Sequence, residues 1–160
     1  MKSLKKPLII LTGPTAVGKT RLSISLAHAA DGEIISADSM QVYRHMDIGS
    51  AKITKEEMDG IPHYLIDVLD PREEFHVVRF QQMAKEAMDK IYAKGKIPIL
   101  TGGTGFYIQA VVKDIDFSED TESPVRQRLE QEAQEKGSAW MHRRCVKRTL
   151  PLPKRYMKTM

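Results

Sequence analysis

Along this chain, short unbroken apolar runs alternate with longer stretches in which apolar residues recur every three or four positions. The run Leu8–Thr12 gives way to a glycine loop and then to TRLSISLAHAA, where Leu22 and Leu26 stand one turn apart. That order predicts strand, loop, helix. EIIS at Glu33–Ser36 predicts a second short strand, and HYLIDVLD, around Tyr64–Val68, a third. VVRFQQMAKEAMDKIYAKG predicts a helix that turns Val78, Met83, Ala87 and Ile91 toward the core and ends at Gly95. IPILTGG, Ile97–Gly103, predicts another buried strand running into glycines, and GFYIQAVV after it is helical. Strands alternating with helices predict an α/β fold built on a parallel sheet covered on both faces.

Near Asp114 the pattern changes to an acidic loop, DIDFSEDTES, followed by a helix with Ser123 as cap and Pro124 at its first position. Arg126 with Glu130, and Glu132 with Lys136, lie four apart, as on a solvated helix face. No apolar stretch approaches the roughly 20 residues of a membrane span, and the basic start MKSLKK lacks a signal-peptide core, so a cytoplasmic location is expected. A single cysteine, Cys145, permits no internal disulfide. The net charge of +4 changes the picture only once it is located. Seven Lys or Arg and no acid fall in residues 143–160, leaving 18 bases against 21 acids elsewhere, a net of −3. Basicity is therefore a property of the tail and is poor evidence that the folded part binds nucleic acid.

Candidate chemistry sits in three loops. Gly13-Pro14-Thr15-Ala16-Val17-Gly18-Lys19-Thr20 fits G-x-x-x-x-G-K-[ST] and stands between a predicted strand and a predicted helix. Glycines let backbone N–H groups turn inward around a phosphate, the helix start adds partial positive charge, Lys19 adds a full one, and Thr20 offers a hydroxyl to magnesium. SADSMQVY, Ser36–Tyr43, follows the second strand and places Asp38 at a strand's carboxyl end, where open sheets bind ligands. A carboxylate there can coordinate magnesium or take a proton from a nucleophile, and it can equally cap the next turn; spacing leaves both open. TGGTGFY, Thr101–Tyr107, is a third loop on the same rim, with Thr104 as a hydroxyl; a plain turn reads the same way. His28, His45, His63 and His76 lack metal-ligand spacing and are expected to be structural or superficial. Met40, Met46, Met58, Met83 and Met88 are expected to fill the core, and Trp140 to anchor the last helix.

Taken together, GPTAVGKT, EIISADSMQVYRHMDIGSAK, PHYLIDVLDP, Phe80 and GGTGFYIQAV resemble the tRNA dimethylallyltransferases, the isopentenyl-tRNA transferases of bacteria and organelles, over residues 7–141. The resemblance implies a P-loop NTPase-like parallel sheet flanked by helices, here truncated. It also implies that the phosphate held by Gly13–Thr20 is the pyrophosphate of dimethylallyl diphosphate, with Mg2+ on Thr20. The five-carbon group would pass to N6 of the adenosine just 3′ of the anticodon in tRNAs reading codons that begin with U. Asp38 is then the base for the amine proton, and Thr104 a hydroxyl near that amine. Asp38, Ser39, Met40, Gln41, Thr104 and Arg126 become contacts to tRNA, and the adenosine is flipped out to reach the donor. The partners implied are tRNA and dimethylallyl diphosphate, with no membrane, and the protein is expected to be a monomer.

Family members are longer, and the resemblance divides the chain into a catalytic core at 1–116, the start of a helical tRNA-binding insert at 117–141 and an aberrant, disordered basic tail at 142–160. HRRCVKRTLPLPKRYMKTM stands where the family continues differently, as expected of a reading-frame change near Met141–Arg144. Two other classes stay open on the residues: a P-loop kinase that uses the same loop for ATP with Asp38 as base, and a non-catalytic fragment that binds phosphates.

Overall fold

The structure, a computed structural model, describes residues 6–117 and 124–148. The chain forms two compact units, Met1–Ile115 and Asp116–Met160. In the first, strand β1 (Ile9–Thr12) leads through the glycine loop into helix α1 (Lys19–Ala30). Then come β2 (Gly32–Ser36), the two-residue β3 (His63–Tyr64), α2 (Val77–Ala93), β4 (Ile97–Gly102) and α3 (Gly105–Val112). All strand pairings are parallel and the sheet order is β1-β4-β2-β3, so the α/β expectation holds. Crossing from β1 past β4 to β2 brings the carboxyl ends of three strands, and the loops that leave them, to one rim.

All five residues of β2 are buried, as a strand covered on both faces must be. The larger core lies under α2 and α3, where Phe80, Ile35, Leu100, Ile91 and Tyr107 meet. Phe80 is fully buried and stacks on Tyr107 at a centroid separation of 4.5 Å, with Phe75 edge-on to both. Burying one such ring contributes about 2–3 kcal/mol. A smaller cluster, Ala27, Ile34 and Ile99, lies on the side of α1.

Several expected core positions lie elsewhere. In α1 the buried residues are Ser23 and Ala27, small side chains that admit close approach to the sheet, while Leu22 is 50% exposed. In α2 the inward stripe is Phe80, Gln81, Ala84, Ala87 and Ile91, which leaves Val78 exposed and Met83 half-buried against the core. The stripe is offset because Gln81, a polar residue, is buried: its Nε2 donates to the carbonyls of Ala110 at 2.7 Å and Ile115 at 2.9 Å and so ties α2 to the end of α3. Met40 is exposed at the rim rather than in the core. The third strand stops at Tyr64 because Leu65 and Asp67 adopt left-handed φ of 63° and 55°. Cover on both faces fails at β1, whose residues alternate half-buried and exposed and whose outer edge has no partner strand among the described residues.

The described residues of the second unit form one helical segment, α4 (Pro124–Arg148), broken at Gly137 with φ 76° and ψ 166°. Pro124 opens it as expected, while Ser123 lies outside the described residues. Arg126 Nε pairs with Glu130 at 2.8 Å, as the spacing predicts. Glu132, however, pairs with Arg144 and not with Lys136. Twelve residues would separate the two by about 18 Å along a straight helix, so the break at Gly137 folds one half back along the other. Lys136 and Arg144 both lie over the Trp140 ring, at 4.4 and 5.3 Å from its centroid. The helix continues through Arg148, across the division expected at 141–142, and the rest of the tail lies outside the described residues.

Candidate functional site

The strand-to-helix loop is shaped by backbone rather than side chains. Gly18 has φ 86° and Ala16 φ 65°, conformations that bend the chain back on itself before α1 begins. Lys19 Nζ donates to the carbonyls of Gly13 at 2.8 Å and Pro14 at 2.5 Å, so the ammonium is held across the loop mouth. Helix α1 starts from Gly18 with no side-chain cap and no acid in its first turn, and α3 starts from Thr104, also with no side-chain cap. Helix starts normally recruit a side chain for their orphan N–H groups; at neither of these does the N-cap residue supply one. Helix α2 shows the usual arrangement, with His76 Nδ1 accepting from Arg79 N at 3.4 Å.

The loops enclose a cavity of about 530 Å³. Thr15, Ala16, Gly18, Lys19 and Thr20 form one wall, Ser36 and Asp38 the floor beside it, and Thr101–Gly103 the third side. Gly102 is placed there by steric necessity, since a Cβ on it would lie 2.3 Å from the carbonyl oxygen of Ala37. That close passage is stitched by Ala37 N to Thr101 O at 2.7 Å and Thr104 N to Ala37 O at 3.4 Å, which ties the chain entering Asp38 to β4 and the loop after it. Asp38 Oδ1 accepts from Met40 N at 2.8 Å and Gln41 N at 3.2 Å. Capping and cavity lining are therefore both true of Asp38: one oxygen orders the turn, and the carboxylate as a whole stands in the cavity. Burial pushes the Tyr107 phenol up, and the charges of Tyr43 and Asp38 add to the same direction.

A family model described as IPP transferase matches residues 41–155. The chain belongs to the IPP transferase family. Among its relatives, the tRNA dimethylallyltransferase of Lachnoclostridium phytofermentans is 66% identical over 138 residues, 86% of this chain and 44% of that protein. The tRNA dimethylallyltransferase of Bacillus subtilis is 48% identical over 143 residues, 89% of this chain and 46% of that protein. Of solved structures, the full-length tRNA isopentenylpyrophosphate transferase of Bacillus halodurans superposes with a TM-score of 0.71 at 46% identity, over 89% of this chain and 48% of that one. A eukaryotic dimethylallyltransferase described as acting on tRNA gives a TM-score of 0.70 at 38% identity, over 78% of this chain and 32% of that one. The chain thus spans about half the length of the curated relatives it matches.

In this IPP transferase chain the predicted residues are brought together unevenly. Five of the eight glycine-loop residues line the cavity, with Gly13, Pro14 and Val17 behind or outside the lining. Asp38, Met40 and Gln41 line it and Ser39 does not. The lining ends at Gly103, one residue short of Thr104. Arg126 belongs to the second unit, where it pairs with Glu130. The side chain of Gln41 is engaged inside the protein: Nε2 donates to Ser50 O at 3.3 Å and Ala51 O at 3.0 Å, and Oε1 accepts from Ser36 Oγ at 3.3 Å.

Sequence reasoning missed the outer wall, Gly49–Ala51 with Ile53, and it missed His63. His28 and His45 are exposed as expected, but His63 is half-buried and lines the cavity. Its Nδ1 lies 2.8 Å from the carbonyl of Ile61, which can only accept, so Nδ1 carries the hydrogen and Nε2 the lone pair. Burial holds this imidazole below its usual pKa, outweighing that hydrogen bond. It is the first residue of β3 and pairs with Ile34 of β2, a register that the sequence alone does not show. Among the described residues no group of three or more His, Cys, Asp or Glu stands ready to hold a metal, and no helix is long and apolar enough to cross a membrane.

Proposed function

We propose that this chain carries the donor site of a tRNA prenyltransferase, which moves a dimethylallyl group from dimethylallyl diphosphate to N6 of an adenosine in tRNA. The observation that carries the reading is a single cavity lined by both the phosphate loop with Lys19 and the carboxylate of Asp38. The names of the relatives supply the substrate class.

The glycine loop, the uncapped start of α1 and the Lys19 ammonium form a seat for a diphosphate. An exocyclic adenine amine is a weak nucleophile, because its lone pair is delocalised into the ring, so the leaving group must be made good. As the amine attacks the allylic carbon, the carbon–oxygen bond breaks and its electron pair goes to diphosphate. Lys19 and the loop N–H groups, already oriented, neutralise the charge that develops there. The proton lost by the amine goes to Asp38, whose turn-ordering Oδ1 contacts hold the carboxylate in place. Thr20 would bind a divalent ion whose other ligands are phosphate oxygens and water, which fits a cavity with few carboxylates and suits magnesium. Such an ion would add further neutralisation of the leaving diphosphate. Thr104 at the mouth and Arg126 in the second unit are assigned to the tRNA side of the reaction. The protein acts as a monomer in the cytoplasm in this reading.

The experiment is incubation with dimethylallyl diphosphate, magnesium and unmodified tRNA, with mass analysis of the nucleosides, beside equilibrium binding of the donor alone. The expected result is donor binding that is lost in Lys19→Ala and a five-carbon addition to adenosine. Phosphoryl transfer from ATP with no dependence on the donor would overturn it in favour of a kinase.

A further inference from the structure

The outer wall of the cavity, Gly49–Ala51 with Ile53, is built differently from the phosphate loop that faces it. It is strained: His45 and Ala51, neither of them glycine, sit at left-handed φ of 63° and 48°. Such conformations persist only where surrounding contacts over-determine them. Here the contacts converge on Lys52. Its side chain is only 6% exposed, and Nζ donates to Tyr43 O at 2.8 Å, Asp47 Oδ1 at 2.7 Å and Asp67 Oδ1 at 2.6 Å. Burial opposes that charge, yet the two carboxylates outweigh it and the ammonium is held above its usual pKa.

Lys52 does not line the cavity, and the partners it binds all lie between residues 43 and 67, so what it fixes is the wall on either side of it. The residues it fixes toward the cavity, Ala51 and Ile53, are apolar. They offer nothing to a diphosphate and are suited to the organic part of its ester. We propose that Lys52 is a positioning residue that holds this wall against the organic group of an allylic diphosphate, and so sets the preference of the site for the ester over bare pyrophosphate. The proposal rests on the reading of the cavity as a diphosphate-ester site.

The test measures dissociation constants of inorganic pyrophosphate and dimethylallyl diphosphate, with magnesium, for the unaltered chain, Lys52→Met and Lys52→Arg. Contact with five carbons predicts that the unaltered chain prefers the ester by about tenfold or more. Lys52→Met is expected to keep its pyrophosphate affinity within about twofold while the preference collapses toward unity, because the cation lost does not line the cavity. Lys52→Arg restores part of the preference. Amide hydrogen exchange is expected to accelerate in residues 45–53 of Lys52→Met and not in residues 13–20. A preference unchanged in Lys52→Met, an equal loss for both ligands, or no preference in the unaltered chain each overturns the proposal. Should Lys52→Met fail to fold by circular dichroism, Asp67→Asn, which keeps the cation, must show an intermediate preference, and an unaltered one overturns the idea. Failure of the unaltered chain to bind pyrophosphate at all is a separate result that refutes the diphosphate site itself.

Discussion

The two ends of the sheet treat buried polar groups in opposite ways. At the amino end of β2, Glu33 is 2% exposed and both of its oxygens are occupied. Tyr64 OH donates to it at 2.8 Å, Lys94 Nζ reaches both oxygens at 2.9 and 3.1 Å, and Lys96 lies 3.7 Å away. At the carboxyl end of the same strands, two helices start with no side-chain cap and Lys19 reaches only loop carbonyls. Polar groups at the first end satisfy one another and contribute stability; those at the second are held in position for something else.

The contrast breaks most visibly at Lys19. Lys19→Ala removes a full positive charge that lines the cavity. Pyrophosphate affinity should fall about hundredfold, close to 3 kcal/mol, while the unfolding midpoint stays near its original value. Titration calorimetry with pyrophosphate beside a urea melt checks both. Gly102→Ala is the next largest and should affect the two ends together. Its Cβ would sit 2.3 Å from Ala37 O, backbone against backbone, so β4 must part from the chain entering Asp38. A loss of about 2–3 kcal/mol in unfolding free energy is expected, with weaker pyrophosphate binding in the same variant.

The carboxyl end was the more legible of the two from sequence, and the reason is locality. Gly13–Thr20 encodes its own geometry within one loop, and Asp38 follows directly from the end of β2. The wall that closes the cavity is held by pairs such as Lys52 with Asp67 and Gln41 with Ala51, and although EIISADSMQVYRHMDIGSAK marks the family, it does not say what these residues pair with. Val78 was misplaced for a related reason, since the buried face of α2 is set by Gln81 reaching carbonyls of Ala110 and Ile115, about 30 residues away. Periodicity counts apolar residues and is blind to a polar one that is buried because its hydrogen bonds are met. In α4, the fold-back at Gly137 replaced a four-residue pair with one that spans the break.

Lys94→Met tests the amino end. It withdraws the closest cation from Glu33 but leaves Tyr64 and Lys96. Because Lys94 is itself half exposed, the loss should be smaller than for Gly102→Ala and below that of a fully buried pair. Ligand affinity at the other end should not change.

The smallest effect is the pH dependence that the same cluster creates. Burial alone would raise the Glu33 pKa, but the hydrogen bonds from Lys94 and Tyr64, with the charges of Lys94 and Lys96, hold it below its ordinary value of 4.5. A carboxyl depressed by folding binds fewer protons in the folded chain than in the unfolded one across that interval. Its contribution is therefore complete above pH 4.5 and is lost as pH falls through the lower, folded value. Unfolding free energy measured in urea between pH 6 and 3 should drop more steeply in the unaltered chain than in Glu33→Gln, which has nothing to titrate there. Lys94→Met should drop less steeply than the unaltered chain, since it removes the main cause of the depression and leaves the burial that opposes it. Equal slopes in all three chains would show that Glu33 does not carry the difference between the ends.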